Sequence, residues 1–230
     1  MKRELKGKYL LAAFITAVIF LLGMFLGMVV EGKRAELISD IAQEQKLSLG
    51  SLQLQYQLIS ELEQKGNCPA VSSTFEEYMK QLVKAQERLD KYEKDATVNK
   101  ETFNMLKQEY VQAEVNYWLL ARKTKELCDR DFVTILFFYT PEEQCPDCND
   151  QSFVLTYIKQ LLKEKVLIFS FDATLDREPI INVLRNSYNL TAYPALVIEG
   201  KTVQGMQDKE NILKEVCPEF KQKPEECAIS

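Results

Sequence analysis

The sequence predicts a small α/β domain of order βαβαββα. An all-α helical hairpin or coiled-coil region precedes it, and one N-terminal transmembrane helix opens the chain. Three observations predict this. Tyr9 to Val30 is an uncharged apolar run, and apolar residues at three- and four-residue spacing fill the stretch from Phe75 to Leu127. After Asp131, short β-rich apolar runs alternate with helical patterns. The expected division is 1–8 as a cytoplasmic N-terminus, 9–30 as the span, 31–128 as a helical bundle or coiled-coil stalk, 129–217 as the α/β domain and 218–230 as a tail. A chain of 230 residues with 46% hydrophobic and 27% charged residues fits a folded protein, not a multi-span or disordered one. Its formal charge of −5 leaves no basic footprint for a phosphate backbone, so nucleic acid is disfavoured as a partner. Histidine is absent, which removes Ser-His-Asp and Cys-His catalysis and His-ligated zinc or haem. Polar chemistry falls to carboxylates, Lys, Tyr and six cysteines.

The first element is the span. At 1.5 Å per residue, Tyr9–Val30 reaches about 33 Å, enough for a hydrocarbon core of roughly 30 Å. A cleaved signal peptide fits less well, because the run exceeds an ordinary h-region and no small-residue cleavage site ends it. Lys2, Arg3, Lys6 and Lys8 precede the run, and only Lys33 and Arg34 follow closely. The positive-inside bias puts the N-terminus in the cytoplasm and the remainder outside, as a single-pass protein of the cell membrane. Gly23 and Gly27 form a G-x-x-x-G pair that fits ordinary span composition as well as helix pairing.

The second region is helical. Lys33 to Lys65 lacks proline, and its Gln-rich spacing reads as helix, with a break at Lys65-Gly66-Asn67-Cys68-Pro69. Ser73 or Thr74 is placed to cap the next helix, with Glu76 and Glu77 in its first turn. Phe75, Tyr78, Leu82, Ala85, Leu89 and Tyr92 form one seam. Phe103, Leu106, Tyr110, Ala113, Tyr117, Leu120 and Leu127 form another. Two geometries compete: one long helix, or a hairpin turning at the poor helix formers from Asp95 to Asn99. Cys68 and Cys128 bracket the segment about Val98, and a hairpin would bring them within disulfide reach. Such a region could also pair two chains as a homodimer. Trp118 and the tyrosines read as seam packing rather than a ligand box.

The third region holds the chemistry. Phe132 to Tyr139 is a continuous apolar, β-rich run, as in a strand buried on both faces. A loop from Thr140 to Gln144 leads to Cys145-Pro146-Asp147-Cys148, which opens a helix to about Lys163. Val166 to Phe171 is a second buried strand. Glu178 to Tyr188 reads as a helix. Ala195–Ile198 and Thr202–Gln204 form a hairpin around Glu199-Gly200-Lys201, and Glu210 to Val216 is a last helix.

Phe138-Tyr139-Thr140-Pro141 before Cys145-Pro146-Asp147-Cys148, followed by Tyr188 to Ala195 with its Tyr193-Pro194, resembles the thioredoxin superfamily over residues 131–217. The resemblance implies a thioredoxin-like fold and thiol–disulfide exchange on exported proteins. Cys145 is then the nucleophile and Cys148 the resolving thiol, with Pro194 in cis beside them and Tyr193 offering backbone groups to substrate. No metal or organic cofactor is implied, and topology would allow a membrane electron donor or acceptor. The chemistry is direct, because a helix N-terminus stabilises a thiolate and a second thiol one turn on resolves the mixed disulfide. Pro146 suits a first turn, where its missing N–H costs nothing. Gln144 stands where thioredoxins carry tryptophan, and Phe137 lies near the place of their buried aspartate. Asp147, with Glu142 and Glu143 upstream, opposes a thiolate at Cys145, so the redox direction stays open.

Alternatives stand beside this reading. The 145/148 pair could be a permanent disulfide in a non-enzymatic scaffold or receptor subunit whose helical region binds partners. A Cys₄ zinc site from Cys145, Cys148, Cys217 and Cys227 lacks the short spacing in its second pair. Cys217 and Cys227 better suit a staple of the Pro-containing tail. Pairing as 68–128, 145–148 and 217–227 fits an oxidising, extracytoplasmic compartment, although six cysteines allow about 15 connectivities. Asn189-Leu190-Thr191 matches an N-glycosylation acceptor, where a glycan would crowd the Pro194 loop.

Overall fold

In a computed structural model the described residues are 14–28, 68–93, 100–175 and 178–228. The chain divides into two compact units, Met1–Gln55 and Tyr56–Ser230. In the first, residues 14–28 form helix α1, with every side chain exposed. The transmembrane helix expected at 9–30 is not found. The described stretch 14–28 rises about 22 Å, against a hydrocarbon core of roughly 30 Å. Among the described residues no helix is long and apolar enough to cross a membrane. The cytoplasmic N-terminus expected at 1–8 lies outside the described residues. Residues 9–13, 29 and 30 lie outside the described residues, as do the helix expected at 33–65 and the turn expected at 95–99.

In the second unit, α2 (Cys68–Glu93) and α3 (Lys100–Cys128) are two helices rather than one. They run antiparallel. The Cys68–Cys128 disulfide joins the start of α2 to the end of α3, with Cα atoms 5.4 Å apart, and an Arg88–Glu109 ion pair links them toward the other end. Helix α2 starts earlier than its seam suggests. Pro69 is compatible with a first turn, so the chain is already helical when it reaches Ser73 and Thr74. Their hydroxyls donate to the Ala70 carbonyl at 2.9 and 3.0 Å, which makes them interior residues and not caps. Val71, Tyr78 and Ala85, one heptad apart, are buried. Helix α3 buries Leu106, Val111, Val115, Tyr117, Trp118, Leu120 and Ala121, a wider set than one seam. It is enclosed on two sides: Tyr117 stacks on Phe75 of α2 at 4.8 Å and meets Phe169 of the sheet at 5.7 Å.

The sheet has strands β1 (Val133–Tyr139), β2 (Val166–Asp172), β3 (Ala195–Ile198) and β4 (Lys201–Gln204), in the order β2-β1-β3-β4. β1 pairs parallel with β2 and antiparallel with β3. Helices α4 (Cys148–Leu162), α5 (Pro179–Ser187) and α6 (Lys209–Val216) complete the unit. Alternation along β1 sorts its side chains between two faces. Val133, Ile135 and Phe137 pack with Leu155, Ile158 and Leu162 of α4 and with Ile212, Leu213 and Val216 of α6. Phe138, the residue after Phe137, turns to the other face and meets Phe171 at 5.4 Å. Phe138, Phe169 and Phe171 are fully buried, each stabilising the fold by about 1.5–3 kcal/mol. The tail returns to the core: Cys217 pairs with Cys227, and Phe220 is 5% exposed.

Candidate functional site

Parallel β1 and β2 both end, at Tyr139 and Asp172, on the same side of the sheet. This carboxyl end is where open α/β sheets place their ligands. The chain leaves β1 through Thr140 and Pro141 and makes a tight turn. The N–H groups of Gln144 and Cys145 both donate to the Pro141 carbonyl, at 2.8 and 3.1 Å. Cys148 N–H donates to Cys145 O at 3.2 Å, and α4 begins at Cys148. Cys145 therefore precedes the helix that the sequence has it opening, and Cys148 is the first helical residue. Asp147 occupies the N-cap position without a side-chain capping bond.

Cys145 and Cys148 form a disulfide, with Cα atoms 5.4 Å apart. Cys145 is 2% exposed and Cys148 5%. Their neighbours in sequence, Glu142, Glu143, Gln144, Pro146, Asp147 and Asp150, are exposed. The other two disulfides, Cys68–Cys128 and Cys217–Cys227, lie in the hairpin and the tail. Among the described residues no group of His, Cys, Asp or Glu is arranged to hold a metal ion. All six cysteines are engaged as disulfides.

Pro194 is buried and its bond from Tyr193 is cis. Ala195 pairs with Phe138, so Pro194 lies level with the last residue of β1, at the sulfur end of the sheet. A chain of hydrogen bonds links it to the cysteine helix. Gly205 N–H donates to Pro194 O at 2.8 Å, and Gln207 Nε2 donates to Gly205 O at 3.2 Å. Gln151, one turn after Cys148, brackets the Gln207 backbone: its Oε1 accepts from Gln207 N–H at 2.7 Å and its Nε2 donates to Gln207 O at 3.2 Å. The sequence reading missed Gln151. Its signal was register, because Cys148, Gln151, Leu155, Ile158 and Leu162 are the buried positions of α4.

Two hydroxyls flank this end, Thr140 Oγ1 after β1 and Tyr193 Oη before β3. Both are buried without a hydrogen-bond partner. Tyr193 is half-buried as a residue. At the end of β2, burial pushes the Asp172 carboxyl up. The Lys107 ammonium and the Thr174 hydroxyl and N–H outweigh that and leave it below the ordinary range. No protein-family model matches this chain, and comparison with curated proteins finds no match either.

Proposed function

We propose that the second unit is a thioredoxin-type thiol–disulfide oxidoreductase, exchanging disulfides with exported proteins through Cys145 and Cys148. The observation that carries this reading is that a Cys-Pro-Asp-Cys disulfide at the start of α4 and the cis-proline Pro194 share one end of the sheet. The mixed sheet, with α4 and α6 on one face and α3 on the other, supports it. Three disulfides support an oxidising compartment.

In the exchange a substrate thiolate attacks Cys145 Sγ, the 145–148 bond breaks, and Cys148 leaves as a thiolate. The unpaired N–H groups of the first turn of α4 stabilise that charge. A second substrate thiolate then attacks the substrate sulfur of the mixed disulfide. The substrate departs oxidised, and Cys145 and Cys148 are left as a dithiol. The reverse sequence reduces a substrate disulfide.

The near-complete cover over both sulfurs favours a second reading, in which the pair is a permanent staple and the α2–α3 hairpin is a partner-binding scaffold. One experiment separates the two: disulfide reductase and thiol oxidase assays on the full chain, with Cys145→Ser as control. The exchange reading expects turnover that Cys145→Ser abolishes, and mixed disulfides accumulating on Cys145 in Cys148→Ser. Equal rates in the wild type and Cys145→Ser leave the scaffold.

A further inference from the structure

We propose that the second unit also carries a small-molecule site, at the end of the sheet away from the Cys145–Cys148 disulfide, that takes an organic carboxylate with a ring-sized apolar body. This inference is independent of the exchange reading. A cavity of about 530 Å³ opens there, within the size range of ligand sites, roughly 300–1,000 Å³. Its location follows from the register. Leu136 belongs to the alternation opposite Val133, Ile135 and Phe137, so it faces away from α4. Glu199 and Gly200, also in the wall, form the β3–β4 turn beyond the Ile198–Lys201 pair. Ile198 pairs with Ile135, near the start of β1, whereas Cys145 follows the end of that strand.

The lining has an apolar floor and a charged rim. Leu136, Val197 and the chain's single tryptophan, Trp118, form the floor, with Tyr188 beside them. Two basic lining residues are already matched: Lys125 pairs with Glu199 at 2.9 Å and Lys221 pairs with Asp129. Glu199 is fixed further, accepting from the Thr134 N–H at 2.6 Å and the Thr134 hydroxyl at 3.1 Å. Arg122 is different. Its guanidinium lies 5.4 Å from the Trp118 ring centroid, and no carboxylate pairs with it among the described residues. A guanidinium held over an indole by cation–π attraction keeps its N–H groups available, and an arginine fork can receive a carboxylate through two parallel hydrogen bonds. A ligand held by Arg122 would set its apolar body against Trp118, Leu136 and Val197, which line the same cavity. Glu126, one turn further along α3, also lines the cavity and sets an opposing charge at the rim.

Trp118 supplies the readout. Full-length protein is titrated with phenylacetate, and Trp118 emission and its indole N–H chemical shift are followed. Phenylacetamide, of equal shape and no charge, is the control. The expected results are a saturable response to phenylacetate, little response to the amide, a dissociation constant at least tenfold weaker in Arg122→Gln, and one tighter in Glu126→Gln. Both substituted residues are exposed, and far-UV circular dichroism checks that each variant folds. The absence of a saturable response to phenylacetate, an equal response to phenylacetamide, or an unchanged constant in folded Arg122→Gln overturns the proposal.

Discussion

Gln151 and Glu114 show how single polar side chains hold this interior. Gln151 is 0% exposed, and its amide is spent on the Gln207 backbone. Gln151→Leu fits the volume but leaves a donor and an acceptor unpaired, at a cost of about 1–3 kcal/mol, read as a lower urea midpoint. Glu114 is 2% exposed and reaches β2, where its Oε1 accepts from the Ser170 N–H at 3.0 Å while Oε2 has no partner. Burial pushes its carboxyl up from the ordinary 4.5 to about 8, and the Ser170 N–H and the Tyr110 hydroxyl offset only part of this. The direction of the pH effect follows. Between about 4.5 and 8 the folded chain keeps a proton that the unfolded chain has lost, so stability falls as pH rises and levels off above 8. Urea unfolding from pH 4 to 9 is expected to show a decline of up to about 1.4 kcal/mol per pH unit. Glu114→Gln, which keeps the acceptor for Ser170, is expected to abolish that contribution.

Among the elements, α3 decides the architecture. Its apolar residues are only part of the attachment. Lys107 pairs with Asp172, Gln112 Nε2 donates to Glu178 Oε2 at 3.0 Å, Glu114 meets Ser170, and Lys125 meets Glu199. These four contacts run along the helix and tie it to the last three residues of β2, the start of α5 and the β3–β4 turn. The hairpin itself is closed by Cys68–Cys128 across a sequence separation of 60, against 10 for Cys217–Cys227. Loop-closure entropy then predicts a larger loss for the longer loop. The Cys68→Ser, Cys128→Ser double variant is expected to lose about 4 kcal/mol and the Cys217→Ser, Cys227→Ser variant about 3 kcal/mol. Urea unfolding under oxidising conditions checks the order of the two.

For the second unit as a whole, the hairpin and the sheet share one core through Phe75, Tyr117, Phe132 and Phe169. They are therefore expected to unfold together. Trp118 emission, reporting on α3, and hydrogen exchange of β1 amides, reporting on the sheet, should give the same free energy of unfolding. An α3 transition at lower urea than β1 opening would show the hairpin to be a separate appendage.

Local signals were legible because they are carried by neighbours in the chain. The apolar run from Phe132 to Tyr139 occupies β1, the bracketing of Cys68 and Cys128 is closed by a disulfide, and Glu199-Gly200 turns between β3 and β4. Ser73 and Thr74 misled as caps because a capping residue and an interior hydroxyl bonded to a preceding carbonyl share one residue type. The sequence by itself determined the helical seams, the strand runs, the Cys-Pro-Asp-Cys motif and the absence of histidine chemistry. Tertiary structure alone decided that α3 is enclosed on two sides, that Gln151 and Glu114 spend their polar atoms on distant backbone, and that the cysteine pair lies almost covered. The physical reason is that burial and hydrogen-bond partners are set by segments about 55 to 65 residues apart, and no window along the chain contains both members of such a pair.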